Sequence, residues 1–380
     1  MTGLSDPPQH AQHLPIPEKG STRPMTSSLV ALAVVYVGVD THADTHHVAI
    51  VNEHGKKLAD REFPTTAAGY AAIERWITSF GRVARIGIEG TGSYGVELAR
   101  YLHEHGHDVA EVARPNRRLR RAQGKTDTID AYAAARRLLD ESGVTAPKLR
   151  NGAIEAVRAL RVARHTAVKA STAALNALRG LITTSPETLR SQLRGLSRAK
   201  LLATCAAFRP DTGHLADPVH ATKLALRSLA ARVKEAQDQA DQLERHLHRL
   251  LKQVAPNTLN VFALGPDTAA ALVISIGDNP HRLIGEAAFA HLCGVAPIPA
   301  SSGKTVRHRL HRGGDRQANQ ALHVAVIVRL RYDQRTRDYV ARRTAEGKTK
   351  PEIIRCLKRY LAREVFQALR TDFRTSASAA

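Results

Sequence analysis

The chain has 380 residues, 43% hydrophobic and 24% charged, which is enough for two or three domains with cores of their own. Its 56 Lys and Arg outnumber 35 Asp and Glu, and the net charge of +21 disfavours a small-metabolite enzyme and points to a polyanion, nucleic acid before an acidic membrane surface. Three scattered cysteines, Cys205, Cys293 and Cys356, exclude a disulfide framework and fit a reducing cytoplasm, and 4% aromatic residues argue against binding by rows of stacked bases.

Residues 1–30 are rich in Pro, His, Ser and Thr without apolar period, and read as a disordered leader, largely absent if synthesis begins at Met25. The apolar run Leu29 to Val39 is shorter than the ~20 residues a bilayer needs. It leads into Asp40 and an alternating pattern, so it reads as a buried first strand. VVYVGVD and then HHVAIVNEHGKKLADREF, folded back at Glu53-His54-Gly55, give three strands over 34–63. Residues 66–79 carry helical spacing at Tyr70, Ile73 and Ile77, with Thr65 or Thr66 as cap. ARIGIEG is a strand, 93–105 a helix, HDVAEVA a strand and 127–140 an alanine-rich helix. This order predicts an α/β domain over 31–145, a mixed sheet with helices on its faces.

Residues 146–255 read as helical and coiled coil. Ile154, Val157 and Leu160, then Leu175, Leu178 and Ile182, keep helical spacing, and Arg158, Arg161 and Arg164 form a basic row at steps of three. From 222 to 254 the apolar positions Leu226, Leu229, Val233, Ala236, Ala240, Leu243, Leu247, Leu250 and Val254 alternate three and four apart. Such a seam predicts an antiparallel hairpin, an intersubunit coiled coil, or a long helix packed in its own domain. Residues 256–372 form a third, mostly helical block, followed by a disordered tail at 373–380. LGPDTAAALVISIGDNP resembles a helix–hairpin–helix unit, which presents backbone amides to phosphate. From residue 301 onward 19 Lys and Arg face 7 Asp and Glu, a local excess of +12. Lys304, Arg307, Arg309, Arg312 and Arg316 are therefore the phosphate contacts expected here, with Arg158, Arg161 and Arg164 in the middle region.

Two constellations carry chemistry. Asp40 ends the first strand, Glu89 ends the fourth, and Asp127 and Asp130 lie three apart at a helix start, on one side. Carboxylates gathered closely either take up protons or hold a hard cation, and Mg²⁺ suits oxygen ligands beside substrate phosphates. Each acid also has a bland reading: Asp40 as a turn cap, Glu89 as an acid paired with arginine, Asp127 as a helix cap, Asp130 as a dipole partner. The second constellation is Ser301-Ser302-Gly303-Lys304, a serine on a glycine turn in a basic segment. It can attack a phosphodiester, with Lys304, Arg307 and Arg309 countering the added charge, or simply touch phosphate. His42, His46 and His47 cluster near Asp40, and His42 with His46 suggests a metal pair, but adjacent His46 and His47 point to opposite faces of a strand, which argues against a three-histidine zinc site. Gly90, Gly92 and Gly95 lack the lysine of a phosphate loop and suit a tight turn.

VGVDTHADTHHVAI, GIEGTGSYG and GKTDTIDAYAAARRLL resemble the amino-terminal DEDD domain of the insertion-sequence one-ten transposase family. LGPDTAAALVISIGD and CGVAPIPASSGKTVRHRLHRGGDRQANQAL resemble that family's carboxy-terminal domain, in the right order over about residues 34–370. The resemblance implies a RuvC-type, RNase H-like first domain whose tetrad Asp40, Glu89, Asp127 and Asp130 binds Mg²⁺. It implies a nucleophile at Ser302, with Ser301 as the fallback, that joins covalently to DNA. It further implies a cytoplasmic recombinase acting on donor and target DNA, guided by a structured RNA, assembled as dimer and tetramer, with no membrane partner. The chain departs from many relatives at Ala43, where they carry lysine. The nearest rival is a RuvC-like metal-dependent nuclease acting on branched DNA, which hydrolyses with water and needs no serine. An actin-like ATPase or sugar kinase would need a second phosphate segment and an adenosine loop, which the sequence lacks. A decayed, non-catalytic transposase would have lost one of the four acids, and all four are present.

Overall fold

The computed structural model describes residues 33–113, 126–141, 143–147, 149–277, 285–301 and 308–377. The expected leader lies outside these residues. Strands β1 (Val34–Thr41), β2 (Thr45–Asn52) and β3 (Lys57–Pro64) are followed by helix α1 (Ala67–Thr78) and strand β4 (Arg82–Glu89). Helix α2 (Val96–Glu104), strand β5 (Val109–Val112), helix α3 (Asp127–Asp140) and strand β6 (Val144–Thr145) complete the first domain. The sheet runs β3-β2-β1-β4-β5-β6, with β4 parallel to β1 and β5 and the other pairs antiparallel. This is the expected RNase H-like arrangement.

β1 is a nearly continuous apolar run because helices cover both faces of the sheet at its centre. Val35, Val37 and Val39 point to one face and pack with Ile73 and Ile77 of α1 and Leu98 and Leu102 of α2. Tyr36 points to the other face and packs with Ala131, Tyr132 and Ala135 of α3. Each fully buried valine or isoleucine of this kind contributes about 1.5–3 kcal/mol. The edge strand β3 is mostly exposed and carries Lys57, Asp60, Arg61 and Glu62, charges that discourage pairing with another chain.

Helix α4 (Ala153–Thr184) leaves the sheet domain as a rod about 48 Å long. After α5 (Glu187–Leu193) and α6 (Arg198–Ala206) the chain returns along it as α7 (Pro218–Val254). The heptad seam finds its partner here, within the same chain. Ser171 donates to the Val233 carbonyl, Arg164 pairs with Glu244, and Leu178 shares a cluster with Leu226, so the two helices run antiparallel. Ala236 and Ala240 on the seam let the backbones approach closely. Leu189, Leu193, Leu201, Cys205 and Phe208 close the far end of this stem.

The near end of the stem enters the third domain. Its elements are α8 (Pro256–Leu259), α9 (Pro266–Ile276), α10 (Glu286–Leu292), the two-residue strands β7 (Ile298–Pro299) and β8 (His308–Arg309), and α11 (Arg316–Tyr332), α12 (Gln334–Ala345) and α13 (Lys350–Ala377). Ile154, Val157, Leu247 and Leu251 of the stem pack around α9, which is apolar nearly all round and sits at the centre. Asp372 of α13 is buried yet satisfied, accepting from the backbone N–H and side chains of Asn257 and Thr258. α13 therefore runs through Ala377, past the sequence boundary at 372. Among the described residues no helix is long and apolar enough to cross a membrane.

Candidate metal centre and basic surface

The register of β1 on β4 pairs Val39 with Ile88, so Asp40 and Glu89 follow at the ends of neighbouring parallel strands. Alternation sends Asp40 to the same side as Tyr36 and Gly38, and Glu89 to the same side as Gly87, which is the α3 side. Thr41 Oγ1 donates to the Glu89 carbonyl at 2.8 Å and ties the two strand ends together. Gly90, at φ 72°, then turns the chain out of β4.

Gly38 sets the approach of α3. A Cβ there would lie 2.1 Å from the Ala131 carbonyl oxygen and 2.3 Å from the Ala135 nitrogen, so the helix backbone rests directly on the strand. Thr126 caps α3, accepting from the Ile129 N–H at 3.3 Å. The capping role considered for Asp127 is thus filled by its neighbour, and Asp127 and Asp130 occupy the first turn above Asp40. His42 bridges the acids: its Nε2 is 3.3 Å from Asp40 Oδ2 and 3.3 Å from Asp127 Oδ1. One ligand atom from each of Asp40, His42 and Asp127 lies within 4.8 Å of the others.

Electrostatics sharpen the picture. Burial pushes the Asp40 carboxyl above the usual aspartate range, His42 pulls it down, and Asp130 and Asp127 push it further up. Glu89 and Asp130 are buried beside it. Two carboxylates and an imidazole within reach of one ion, with two more acids at hand, suit a divalent cation, which would offset the crowding of negative charge.

The three histidines separate. His46 is fully buried on the opposite face, stacked on Tyr70 with ring centroids 5.9 Å apart, and burial lowers its pKa to about 4. His47 faces α3, with Nε2 2.8 Å from Asp60 Oδ2 and 3.1 Å from Thr128 Oγ1. Tyr132 donates to Asp60 Oδ1 at 3.0 Å, so this network pins the first turns of α3 to β2 and β3. The sequence grouped His42 with its neighbours and missed its place among the acids. The available signal was its position two residues after Asp40, which returns a side chain to the same side.

The serine constellation belongs to the third domain. Ser301 begins the connection between β7 and β8, while Ser302, Lys304 and Arg307 lie outside the described residues. Arg309 on β8, Arg312 and Arg316 are exposed. The basic row on α4 is engaged internally: Arg158 pairs with Glu155, Arg161 with Asp267, and Arg164 with Asp267 and Glu244. Asp267 sits in the first turn of α9, so the helix start read as a phosphate-presenting end receives two guanidinium groups through that carboxylate.

Comparison with known proteins places both halves. Residues 37–185 match a transposase family model of the DEDD, IS110 type, and residues 258–341 match the model for transposases of the IS116/IS110/IS902 family. The chain belongs to the IS110/IS116/IS902 transposase family. It is also similar to the insertion element IS110 uncharacterized 43.6 kDa protein of Streptomyces coelicolor, at 25% identity over 389 residues, covering 88% of this chain and 94% of that one. Membership makes DNA the substrate of this transposase, and its first domain carries an acidic cluster suited to metal-dependent chemistry on phosphodiesters.

Proposed function

We propose that the protein cuts DNA strands at the boundaries of a mobile element, at a RuvC-like centre that uses Mg²⁺. The observation that carries this reading is the convergence of Asp40, His42 and Asp127 on one point, beside buried Glu89 and Asp130. Asp40, His42 and Asp127 would hold the ion, with Glu89 and Asp130 completing its surroundings. When bound, such an ion supplies Lewis-acid stabilisation of the phosphoryl group under attack. Asp40 is fixed at the sheet end and orients the site from below. The Asp127 side chain is 53% exposed and faces the side from which a strand can approach. The network of His47, Asp60 and Tyr132 holds the helix carrying Asp127 in place.

The finer reading includes rejoining through a phosphoserine, and the family resemblance supports it. Ser302 Oγ, with Ser301 as the fallback, would bond to phosphorus as the bond to the leaving strand oxygen breaks and that oxygen takes a proton. The ester keeps the bond energy for religation. The same resemblance supports a guide RNA and a dimer or tetramer that brings the acidic domain of one subunit to the serine domain of another. The test uses the full chain, Mg²⁺ and DNA bearing an element junction. Asp127→Asn is expected to abolish strand cleavage while leaving folding intact, and normal cleavage by that variant would refute the acidic centre. A protein–DNA adduct that survives denaturation and disappears in Ser302→Ala supports the serine step. Cleavage that continues in Ser302→Ala without an adduct leaves the hydrolytic nuclease reading alone.

A further inference from the structure

A second polar centre lies in the third domain, in a cleft of about 690 Å³ between the β7–β8 stem, residues 294–297 and helix α13. At its base is Lys358, only 7% exposed, an unusual burial for an ammonium group. Its Nζ donates to Asn319 Oδ1 at 2.9 Å, and Asn319 Nδ2 donates in turn to the Cys293 and Gly294 carbonyls at 2.8 and 3.0 Å. The ammonium is therefore oriented by a side chain itself fixed on two backbone oxygens. Lys348, Arg309 and Arg355 also line the cleft. Glu352 is the one carboxylate among its described lining residues, and it is already engaged, accepting from the Thr349 N–H and hydroxyl at 2.9 and 2.7 Å. Arg359 is drawn aside into a pair with Glu286.

Burial and the neighbouring Arg355 push the Lys358 ammonium below its usual range. A cluster of like charges around a buried ammonium is held at a cost that a bound anion would remove. The residues forming this floor lie on α13, beyond the stretch that matches the family model, which ends at residue 341. We infer that this cleft seats a backbone phosphate of DNA, with Lys358 as the buried contact and Arg355 and Lys348 on the walls. The inference rests on the reading of the chain as a DNA-cutting enzyme and gives that reading a strand-holding site at the root of the β7–β8 hairpin.

Equilibrium binding of a short labelled DNA duplex to the full chain in EDTA, over a range of salt, tests it. Lys358→Met is expected to weaken binding about tenfold and to lower the slope of log affinity against log salt by about one. Lys358→Arg is expected to keep most of the affinity, and Arg355→Gln to weaken binding at an unchanged melting temperature. Arg355→Gln keeps the test alive if Lys358→Met does not fold. Unchanged affinity and slope in Lys358→Met, or in Arg355→Gln where the former is unfolded, overturns the inference. A loss confined to an RNA hairpin or to inorganic phosphate, with DNA binding intact, also overturns it. The two readings fail separately: duplex binding in EDTA by the Lys358 and Arg355 variants reports on this seat alone, and cleavage by Asp127→Asn in Mg²⁺ reports on the cutting centre.

Discussion

Asp40 is asked to be charged where charge is unwelcome. Its carboxyl titrates above the ordinary 3.8, chiefly through burial and then through Asp130 and Asp127 against the pull of His42. An acid with a raised folded pKa favours the native state at low pH, and that advantage is lost as pH rises through the raised value. Without metal, Asp40→Asn is therefore expected to melt at or above the wild-type temperature at neutral pH. The same variant is expected to lose the rise in melting temperature that Mg²⁺ or Mn²⁺ gives the wild type, and a retained rise would remove Asp40 from the centre. His46 behaves oppositely. Buried and lowered from 6.5 to about 4, it binds its proton more readily when the chain is unfolded. Stability is thus lost as pH falls between these values, by at most about 1.4 kcal/mol per pH unit. His46→Phe, which keeps a ring against Tyr70, is expected to flatten that acid limb in denaturation measured across the window; an unchanged limb would assign the loss elsewhere.

At the scale of the elements, close approach does the positioning. Gly38→Ala would drive a methyl group into the backbone of α3. The expected result is a loss of about 1–3 kcal/mol or more and weaker metal binding, because α3 carries Asp127 and Asp130. A Gly38→Ala protein that melts and binds metal like the wild type would show that the helix is not held there. Much of this scale was legible in the residues. The valine alternation of β1, the hairpin at Glu53-His54-Gly55 and the α3 boundaries follow from local pattern and chain reach. The heptad seam announced that α7 has a partner, but a seam does not name it, and the pairing with α4, itself legible as a helix, emerged only from tertiary packing. The arginine row shows the same limit. Period three placed Arg158, Arg161 and Arg164 on one face, yet Asp267, a partner of the last two, lies about a hundred residues away. Helical spacing carries no trace of such a pairing. His42 was misgrouped for a related reason: proximity in sequence to His46 hid its proximity in space to Asp127.

The whole molecule divides its labour. A sheet domain gathers negative charge at one point, a paired-helix stem is rooted in the core of the third domain, and the stretch from residue 301 onward carries more than half of the surplus positive charge. With +21 overall and a +12 excess from residue 301 onward, DNA affinity is expected to fall steeply as salt rises, through release of condensed counterions. Equal affinity at low and high salt would contradict an electrostatic interface. Cutting by the first domain depends on the acids and His42 forming a true ion site. Calorimetric titration of Mg²⁺, and of Mn²⁺ in parallel, into the full chain and into an Asp40→Asn, Asp127→Asn double variant tests this most directly. Saturable binding by the wild type, lost in a variant that keeps its circular dichroism and melting behaviour, is the predicted result. Equal binding by both proteins, or none by the wild type, would contradict the account.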